Sequence, residues 1–423
     1  GEVRDNVIRL RNHPSLGLWC GNNEIESAWE YWGLPEDEEA KRDYLIIFEE
    51  MIPQVLKAYD PCENTFYWPS SPSSGGGFKD ASSNHAGDMH YWDVWHNFKP
   101  IEAFREFYYR FCSEYGFESL PDIKTCRAFA DETKGDFDLC SPVMEAHQKC
   151  VQGNEKIMYY LAQMVRYPYD FKQLIYSSQL VQADCIRSNV EHMRRAIGRC
   201  MGSAYWQVND SNPVISWSSI DYFGRWKGLH YYAKRFYAPC LISCDDTNRK
   251  KPVLNISNER MTAFEGIVKW TLRNNKAEIL QSGEKSVSVP PLTAQNVLTI
   301  DLSDELKNRT DPREKYLEYS IIENGKVLSF GTTLFVRPKE FTFLEPAITY
   351  GISESDDKFT LTFCAENYAK SVCLSLKTAD CVFSDNWFDI HGKEPVTIMI
   401  DKASLSRKMT AQELSEELEI MHN

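Results

Sequence analysis

The 423-residue chain has no excess of positive charge. It carries 47 Lys and Arg against 61 Asp and Glu, which gives a formal net charge of −14. Proteins that bind nucleic acid contact the phosphates with a basic stripe or face, and none is seen here. The sequence also has no run of about 18 apolar residues, the length that a membrane-spanning helix requires. These absences argue against nucleic-acid and membrane partners.

The cysteines show no metal-binding spacing. The 13 cysteines include no C-x-x-C pair and no Cys and His spacing of a zinc site. Several of them, such as Cys20, Cys112 and Cys364, lie inside apolar runs, where a free thiol acts as a small hydrophobic side chain. We therefore expect no metal site. The cysteines leave the compartment open, and the first residues lack the apolar core of a signal peptide.

The composition changes near residue 240. Nine of the 11 Trp lie in residues 1–226, where strand-like and helix-like segments alternate. This alternation predicts parallel βαβ units, and polar or aromatic residues follow the strand-like segments, as in a (β/α)8 barrel. Among the segments are a helix at about 36–58, strands at 65–68, 89–95, 110–117 and 202–210, and helices at about 142–196 and 218–237.

After residue 240 the sequence changes to short alternating runs separated by turn residues. "ENGK" (323–326) predicts a hairpin turn, because Asn-Gly supplies two residues with positive φ. These runs predict two immunoglobulin-like β-sandwich domains of antiparallel strands. The predicted domains are 1–240, a partial (β/α)8 TIM barrel from about strand 4 to strand 8; 241–338, the first sandwich; and 339–423, the C-terminal sandwich.

Two carboxylates stand where predicted barrel strands end. "LWCGNNE" runs from an apolar strand into Asn22, Asn23 and Glu24, and Glu114 ends the strand "RFCSE". Two carboxylates that converge across a barrel mouth suit glycoside hydrolysis: one protonates the leaving oxygen and the other attacks the anomeric carbon, with retention at about 5 Å separation. From this pattern alone, metal binding and salt bridges remain open alternatives.

Several longer motifs resemble one family. "RNHPSLGLWCGNNE", "GDMHYWDVWH", "FCSEYGFESLP", "AYWQVND" and "PVISWSSIDYFGRWKGLHYYAKRFYAP" resemble the catalytic half of a β-mannosidase of glycoside hydrolase family 2. The tail "FSDNWFDIHGKEPVTI" resembles the last sandwich domain of these enzymes. The resemblance implies a retaining exo-glycosidase that releases terminal β-D-mannose from β-mannosides, manno-oligosaccharides or N-glycan cores without a cofactor. It also implies a periplasmic, secreted or lysosomal protein.

The resemblance also implies roles for individual residues. Glu24 matches the acid/base, Glu114 matches the nucleophile, and Asn23 matches the Asn that contacts the 2-hydroxyl of the sugar. The residues predicted to contact substrate are Asn23, Trp32, Tyr91, Trp92 and Trp206. Other residues are expected to be structural: Glu26 and Glu30 to face solvent, and Trp29 to pack in the core. For His90 and Asp93, substrate contact and a structural hydrogen bond both remain open.

The chain departs from the family pattern in one respect. Glu24 resembles the end of the fourth barrel strand, yet only one helix precedes it. We therefore expect the first three strands, and the domains that precede such barrels, to belong to a missing N-terminal half of the parent enzyme. A chain with these open edges is expected to be inactive alone. The alternatives are a β-galactosidase or β-glucuronidase of the same family, or a catalytically dead carbohydrate-binding protein.

Overall fold

A computed structural model of the protein describes residues 1–62 and 66–423. The chain divides into two compact units, which are described separately. The first unit comprises Gly1–Tyr115 and Gly198–Tyr205, and the second comprises Gly116–Ile197 and Trp206–Asn423. Within the described ranges, none of the helices combines the length and the apolar character needed to span a membrane.

The first unit contains short strands and helices. Its strands are Leu18–Cys20 (β1), Phe66–Trp68 (β2), Met89–His90 (β3) and Cys112–Glu114 (β4). Its helical segments are Glu2–Leu10, Ile25–Tyr31, Glu38–Tyr44, Leu45–Met51 (a π-helix), Ile52–Tyr59, Asp93–His96 and Ile101–Glu106 (a 3₁₀ helix). Thr65, the first residue of the strand predicted at 65–68, lies outside the described residues.

The described strand pairings of this unit are parallel. β1 pairs with β2, and β3 pairs with β4. A further parallel bridge joins Cys112 of β4 to Ser203, where the chain returns to this unit. Parallel pairing is what alternating βα units require. The partial barrel itself remains a prediction.

The predicted helix at about 36–58 is confirmed, with bounds of 38–59. The Asp37 side chain accepts hydrogen bonds from the backbone N–H groups of Glu39 and Ala40, and this cap begins the helix. The helical path then continues through the π-helical segment to Tyr59. In the last turns of this helix, the Leu56 side chain is buried, as predicted from the apolar spacing.

In the second unit, the helix predicted at 218–237 is shorter than expected. That segment is helical only over Gly228–Phe236, because Asp221 accepts hydrogen bonds from the N–H groups of Phe223 and Arg225 and turns the chain. The other helical segments are Ile123–Cys126, Glu132–Lys134, Pro142–Ala146, Gly153–Met164, Phe171–Arg195, Asp311–Glu314, Pro338–Glu340, Lys402–Ser404 and Ala411–Glu417. The strand predicted at 202–210 is an irregular segment with isolated bridges.

The rest of the second unit is built from antiparallel sheets, which confirms the immunoglobulin-like regions predicted from the sequence. The strands are Cys240–Asp245 (β5), Val253–Asn258 (β6), Phe264–Asn274 (β7), Ile279–Val289 (β8), Thr293–Thr299 (β9), Lys315–Glu323 (β10), Lys326–Leu334 (β11), Thr349–Glu354 (β12), Lys358–Cys364 (β13), Tyr368–Leu376 (β14), Phe388–His391 (β15), Val396–Asp401 (β16) and Leu418–Met421 (β17).

These strands form two pairs of sheets. The first pair has the orders β11-β10-β7-β8 and β5-β6-β9, and the second has β12-β13-β16 and β15-β14-β17. Alternate side chains of the first pair, such as Ile256, Val268 and Leu317, are fully buried in a common core. The predicted hairpin turn lies between β10 and β11, where Asn324 and Gly325 have φ values of 51° and 76°.

Candidate active site

After β1 the chain enters a turn that hydrogen bonds of the Asn22 side chain stabilise. Asn22 Nδ2 donates to the Pro69 carbonyl at 2.9 Å and to the Tyr44 hydroxyl at 3.2 Å. Its Oδ1 accepts from the backbone N–H of Ile25, the first residue of the following helix. Glu24 stands between them with φ 64°, in the left-handed region. The apolar strand therefore ends on amides because the turn needs internal hydrogen-bond partners.

The backbone of Glu24 is tied to the segment after β2. The Glu24 N–H donates to the Ser71 carbonyl at 2.7 Å, and Asn23 forms a parallel bridge with Ser71. The Asn23 side chain is exposed beside Glu24. This placement suits the sugar contact predicted for Asn23, which remains a prediction.

Glu114, at the end of β4, lies close to Glu24. Their carboxylates each offer an oxygen within 4.8 Å of the other. Trp92 Nε1 donates to Glu114 Oε2 at 3.1 Å, and the Glu114 side chain is 13% exposed. The structure therefore brings together the two acids predicted from strand ends.

His90, at the end of β3, lies between the two carboxylates. Its Nδ1 is 2.7 Å from Glu24 Oε1 and 3.2 Å from Glu114 Oε2. Two Glu and one His are also a set of residues that can ligate a metal ion. The two Nδ1 contacts have hydrogen-bond lengths, and we therefore interpret the trio as a hydrogen-bonded group. Of the two alternatives for His90, the structure shows the hydrogen bond, and its partners are the two candidate catalytic acids.

The environment of Glu114 opposes its ionisation. Burial raises the pKa of Glu114 above the ordinary value, and the negative charge of Glu24 raises it further. His90 and the Trp92 N–H lower the pKa of Glu114, since both stabilise the carboxylate form. The two groups that contact Glu114 thus offset part of the burial effect.

Ser71 and Asp88 lie on the other side of the His90 ring. Ser71 Oγ is 3.1 Å from His90 Nε2 and donates to Asp88 Oδ2 at 2.7 Å. The sequence analysis did not single out either residue. Asp88 and His90 are two residues apart in "GDMH", as on one face of a strand, and this spacing is the signal that marks them.

Asp88 is held by several donors. Its Oδ2 also accepts from Ser113 Oγ at 2.5 Å. Its Oδ1 accepts from Trp68 Nε1 at 2.8 Å and from the backbone N–H of Ser73 at 3.0 Å. Two donors on each oxygen fix the orientation of this buried carboxylate.

The tryptophans predicted to contact substrate lie in different environments. Trp32, directly after the helix that follows Glu24, is 61% exposed and presents a flat apolar ring. Trp206 belongs to the second unit and is 44% exposed there. Trp92 contacts Glu114 through its indole N–H. Substrate contact by these three residues remains a prediction.

Tyr91 is placed differently from the prediction. Its side chain is 3% exposed and packs against Phe104, Phe107 and Tyr109, and no described residue is a hydrogen-bond partner of its hydroxyl. Only its backbone N–H reaches the Glu114 carbonyl. Tyr91 directly follows His90, the last residue of β3, so its side chain points away from the face that carries the imidazole. The structure therefore favours a core role for Tyr91 over substrate contact.

The Glu26 side chain also lies in a different environment from the one expected. Glu26 was expected to face solvent, but it is fully buried, and this burial raises its pKa. It lies in the first turn of the helix after Glu24, on the face that packs inward. For Asp93, where both alternatives were open, the structure shows an ion pair with Lys99 at 2.9 Å.

Comparison with protein families identifies both sandwich regions. Residues 251–340 match the family described as a Mannosidase Ig/CBM-like domain, and residues 343–423 match the family described as an Ig-fold domain. The junction between the two matches lies close to the boundary predicted near residue 338.

Relatives named Beta-mannosidase B match most of the chain. The protein from Aspergillus terreus is 29% identical over 425 residues, covering 93% of this chain and 49% of the relative. The protein from Neosartorya fischeri is 30% identical over 421 residues, covering 91% of this chain and 48% of the relative. The chain thus spans about half the length of the relatives it matches.

Solved structures also match this chain over nearly all of its length. A beta-D-mannosidase from Dictyoglomus thermophilum has a TM-score of 0.88 at 26% identity, covering all of this chain and 50% of that one. An exo-chitosanase from Amycolatopsis orientalis has a TM-score of 0.71 at 14% identity, covering 99% of this chain and 52% of that one. The second likeness concerns the fold alone. The resemblance predicted from the sequence is confirmed.

Proposed function

Because this chain is homologous over most of its length to β-mannosidases, we propose that it carries both catalytic carboxylates of a retaining exo-β-mannosidase. The observation that carries the proposal is the approach of Glu24 and Glu114 within 4.8 Å, with His90 between them. A separation of about 5 Å between carboxyl groups suits direct attack on the sugar, whereas inversion needs room for a water molecule between them.

In the first step, Glu114 attacks the anomeric carbon of a terminal β-D-mannose. The bond from that carbon to the leaving oxygen breaks, and Glu24 transfers its proton to this oxygen. Trp92 orients Glu114 through its 3.1 Å hydrogen bond and favours the ionised form that the attack requires.

In the second step, Glu24 removes a proton from a water molecule. The oxygen of this water attacks the anomeric carbon, the ester bond to Glu114 breaks, and mannose leaves with its original configuration. Asn23 contacts the 2-hydroxyl, and the rings of Trp32 and Trp92 contact the apolar faces of the sugar. No cofactor takes part in the proposed reaction.

The proposal extends to the form of the protein that is active. Relatives that match this chain are about twice as long. We assign the active enzyme a partial barrel over residues 1–240, completed by a region equivalent to the other half of those relatives. Residues 241–338 and 339–423 are the two sandwich domains of the proposal. Its substrates are β-mannosides, manno-oligosaccharides or N-glycan cores.

The test compares hydrolysis of nitrophenyl β-mannoside, β-galactoside and β-glucuronide by the protein that includes this other half. The expected result is preferential hydrolysis of the mannoside, with β-mannose as the first product seen by proton NMR. Faster cleavage of another glycoside would overturn the mannose specificity, and α-mannose as the first product would overturn retention. Binding of mannosides without any turnover would favour a catalytically dead carbohydrate-binding protein.

A further inference from the structure

The hydrogen bonds around His90 leave little choice about where their protons lie. Ser71 has a single hydroxyl proton, and its shortest contact with an acceptor is the 2.7 Å contact with the Asp88 carboxylate. The alternative acceptor Ser113 Oγ is 3.4 Å away, and that hydroxyl itself donates to Asp88. The Ser71 proton therefore goes to Asp88.

A Ser71 hydroxyl that donates its one hydrogen to Asp88 can only accept a hydrogen bond from His90. The 3.1 Å contact between Ser71 Oγ and His90 Nε2 then requires a hydrogen on Nε2. Tautomers are inferred from such networks of hydrogen bonds, and here the network allows one assignment at this nitrogen.

The opposite side of the ring needs a second proton. His90 Nδ1 is 2.7 Å from Glu24 Oε1, a distance at which two bare acceptors repel each other. One proton must lie between them, either on Nδ1 or on the Glu24 carboxyl. The first step of the proposed reaction needs a proton at this position.

We propose that Ser71 and Asp88 are positioning residues that keep a hydrogen on His90 Nε2, and so hold the transferable proton between His90 Nδ1 and Glu24. The proton arrangement stands on the geometry alone, and only its use in catalysis rests on the proposed function. Without Asp88, the Ser71 hydroxyl can turn and donate to Nε2. His90 can then adopt the other neutral tautomer, whose Nδ1 hydrogen belongs to the ring.

The decisive measurement is ¹⁵N NMR of the protein labelled at histidine, with His90→Gln to assign the His90 signals. At neutral pH we expect Nε2 to have the chemical shift of a protonated ring nitrogen. An unprotonated Nε2 in the unaltered protein would overturn the proposal, whether or not the protein hydrolyses mannosides.

Variants test whether Ser71 and Asp88 cause this state. We expect Ser71→Ala and Asp88→Asn to move the Nε2 signal toward that of an unprotonated nitrogen. Ser82→Ala is the matched control, because Ser82 Oγ contacts the backbone carbonyl of His90 and not its ring. If both variants leave Nε2 as in the control, the proposal is wrong. If Ser71→Ala does not fold, Asp88→Asn decides, since its amide keeps the size of the carboxylate.

Kinetics then test the catalytic use of the proton. In the protein that hydrolyses β-mannosides, Ser71→Ala should lower kcat for substrates with poor leaving groups while KM changes little. An unchanged kcat, together with the expected NMR change, would remove the catalytic use and leave the proton arrangement. Absence of hydrolysis by the unaltered protein would count against the proposed function and not against the proton arrangement.

Discussion

His90 Nδ1 lies 2.7 Å from a carboxylate oxygen of Glu24, across 66 residues of sequence. The same nitrogen lies 3.2 Å from Glu114, so one imidazole connects the two acids on which the proposed reaction depends.

The first prediction concerns Glu114 as the nucleophile. A 2-fluoro-mannosyl inhibitor with a good leaving group should remain covalently attached to Glu114, because fluorine slows both steps and the good leaving group restores the rate of the first step alone. Peptide mass spectrometry of the labelled enzyme identifies the residue. Glu114→Gln should take up no label, and attachment to any other carboxylate would contradict the assignment.

The second prediction concerns Glu24 as the acid/base. Glu24→Ala should harm hydrolysis of mannobiose more than hydrolysis of dinitrophenyl mannoside, because only the poor leaving group needs protonation. The expected difference between the two substrates is about 100-fold in kcat/KM. Glu30→Ala is the control, since Glu30 accepts a hydrogen bond from the Ala81 N–H and does not contact the trio. Equal losses on both substrates for Glu24→Ala would argue against the role.

The third prediction concerns the pH dependence set by Trp92. Its N–H stabilises the Glu114 carboxylate, so Trp92→Phe should raise the pKa of Glu114 further. The nucleophile must be ionised, and the acidic limb of kcat/KM should therefore move to higher pH. Trp19→Phe removes a similar indole hydrogen bond, to Asp60 at 2.8 Å, and should leave this limb in place. A shift to lower pH in Trp92→Phe would contradict the assigned direction.

The fourth prediction concerns the buried pair Lys370 and Asp389. The two side chains are 5% and 13% exposed, and Lys370 Nζ lies 3.6 Å from Asp389 Oδ2. Burial disfavours the Asp389 charge, but the positive charge of Lys370, the nearby His391 and hydrogen bonds from Thr332 and the Ser371 N–H together outweigh this effect and hold the pKa of the carboxyl well below its usual range. Asp389→Asn leaves a buried charge without its partner and should lower the free energy of unfolding at pH 7 by about 3–5 kcal/mol.

This effect of Asp389 should depend on pH in a defined direction. A lowered pKa in the folded state stabilises the fold above the pKa of the unfolded chain, and this stabilisation is lost as the pH falls through both values. Chemical denaturation at pH 7 and at pH 3, which lies below the pKa of about 3.9 for an Asp in an unfolded chain, should therefore show a smaller difference between Asp389→Asn and the unaltered protein at the lower pH. Asp356→Asn, on the exposed turn between β12 and β13, is the control and should change stability little. A constant difference at both pH values would contradict the linkage.

Local sequence patterns predicted the sandwich strands and the position of the two acids. Alternation with period two places Ile256, Val268 and Leu317 in a core, because strand side chains alternate between faces. Asn324 and Gly325 identify their hairpin turn for an equally local reason, the positive φ that these residues tolerate. Polar residues at the ends of predicted strands likewise mark Glu24 and Glu114, since a strand end is predicted from neighbouring residues.

The tertiary structure alone decided which side chains meet. The ring of His90, the carboxylate of Glu24 and the hydroxyl of Ser71 come together from separate strand ends, and no local pattern encodes those distances. Burial of Tyr91 and Glu26 depends in the same way on elements distant in sequence that pack over them. By itself, the sequence determined the residue types and the strand ends at this site. The network of hydrogen bonds that joins them is a property of packing, because it requires contacts between segments that periodicity cannot pair.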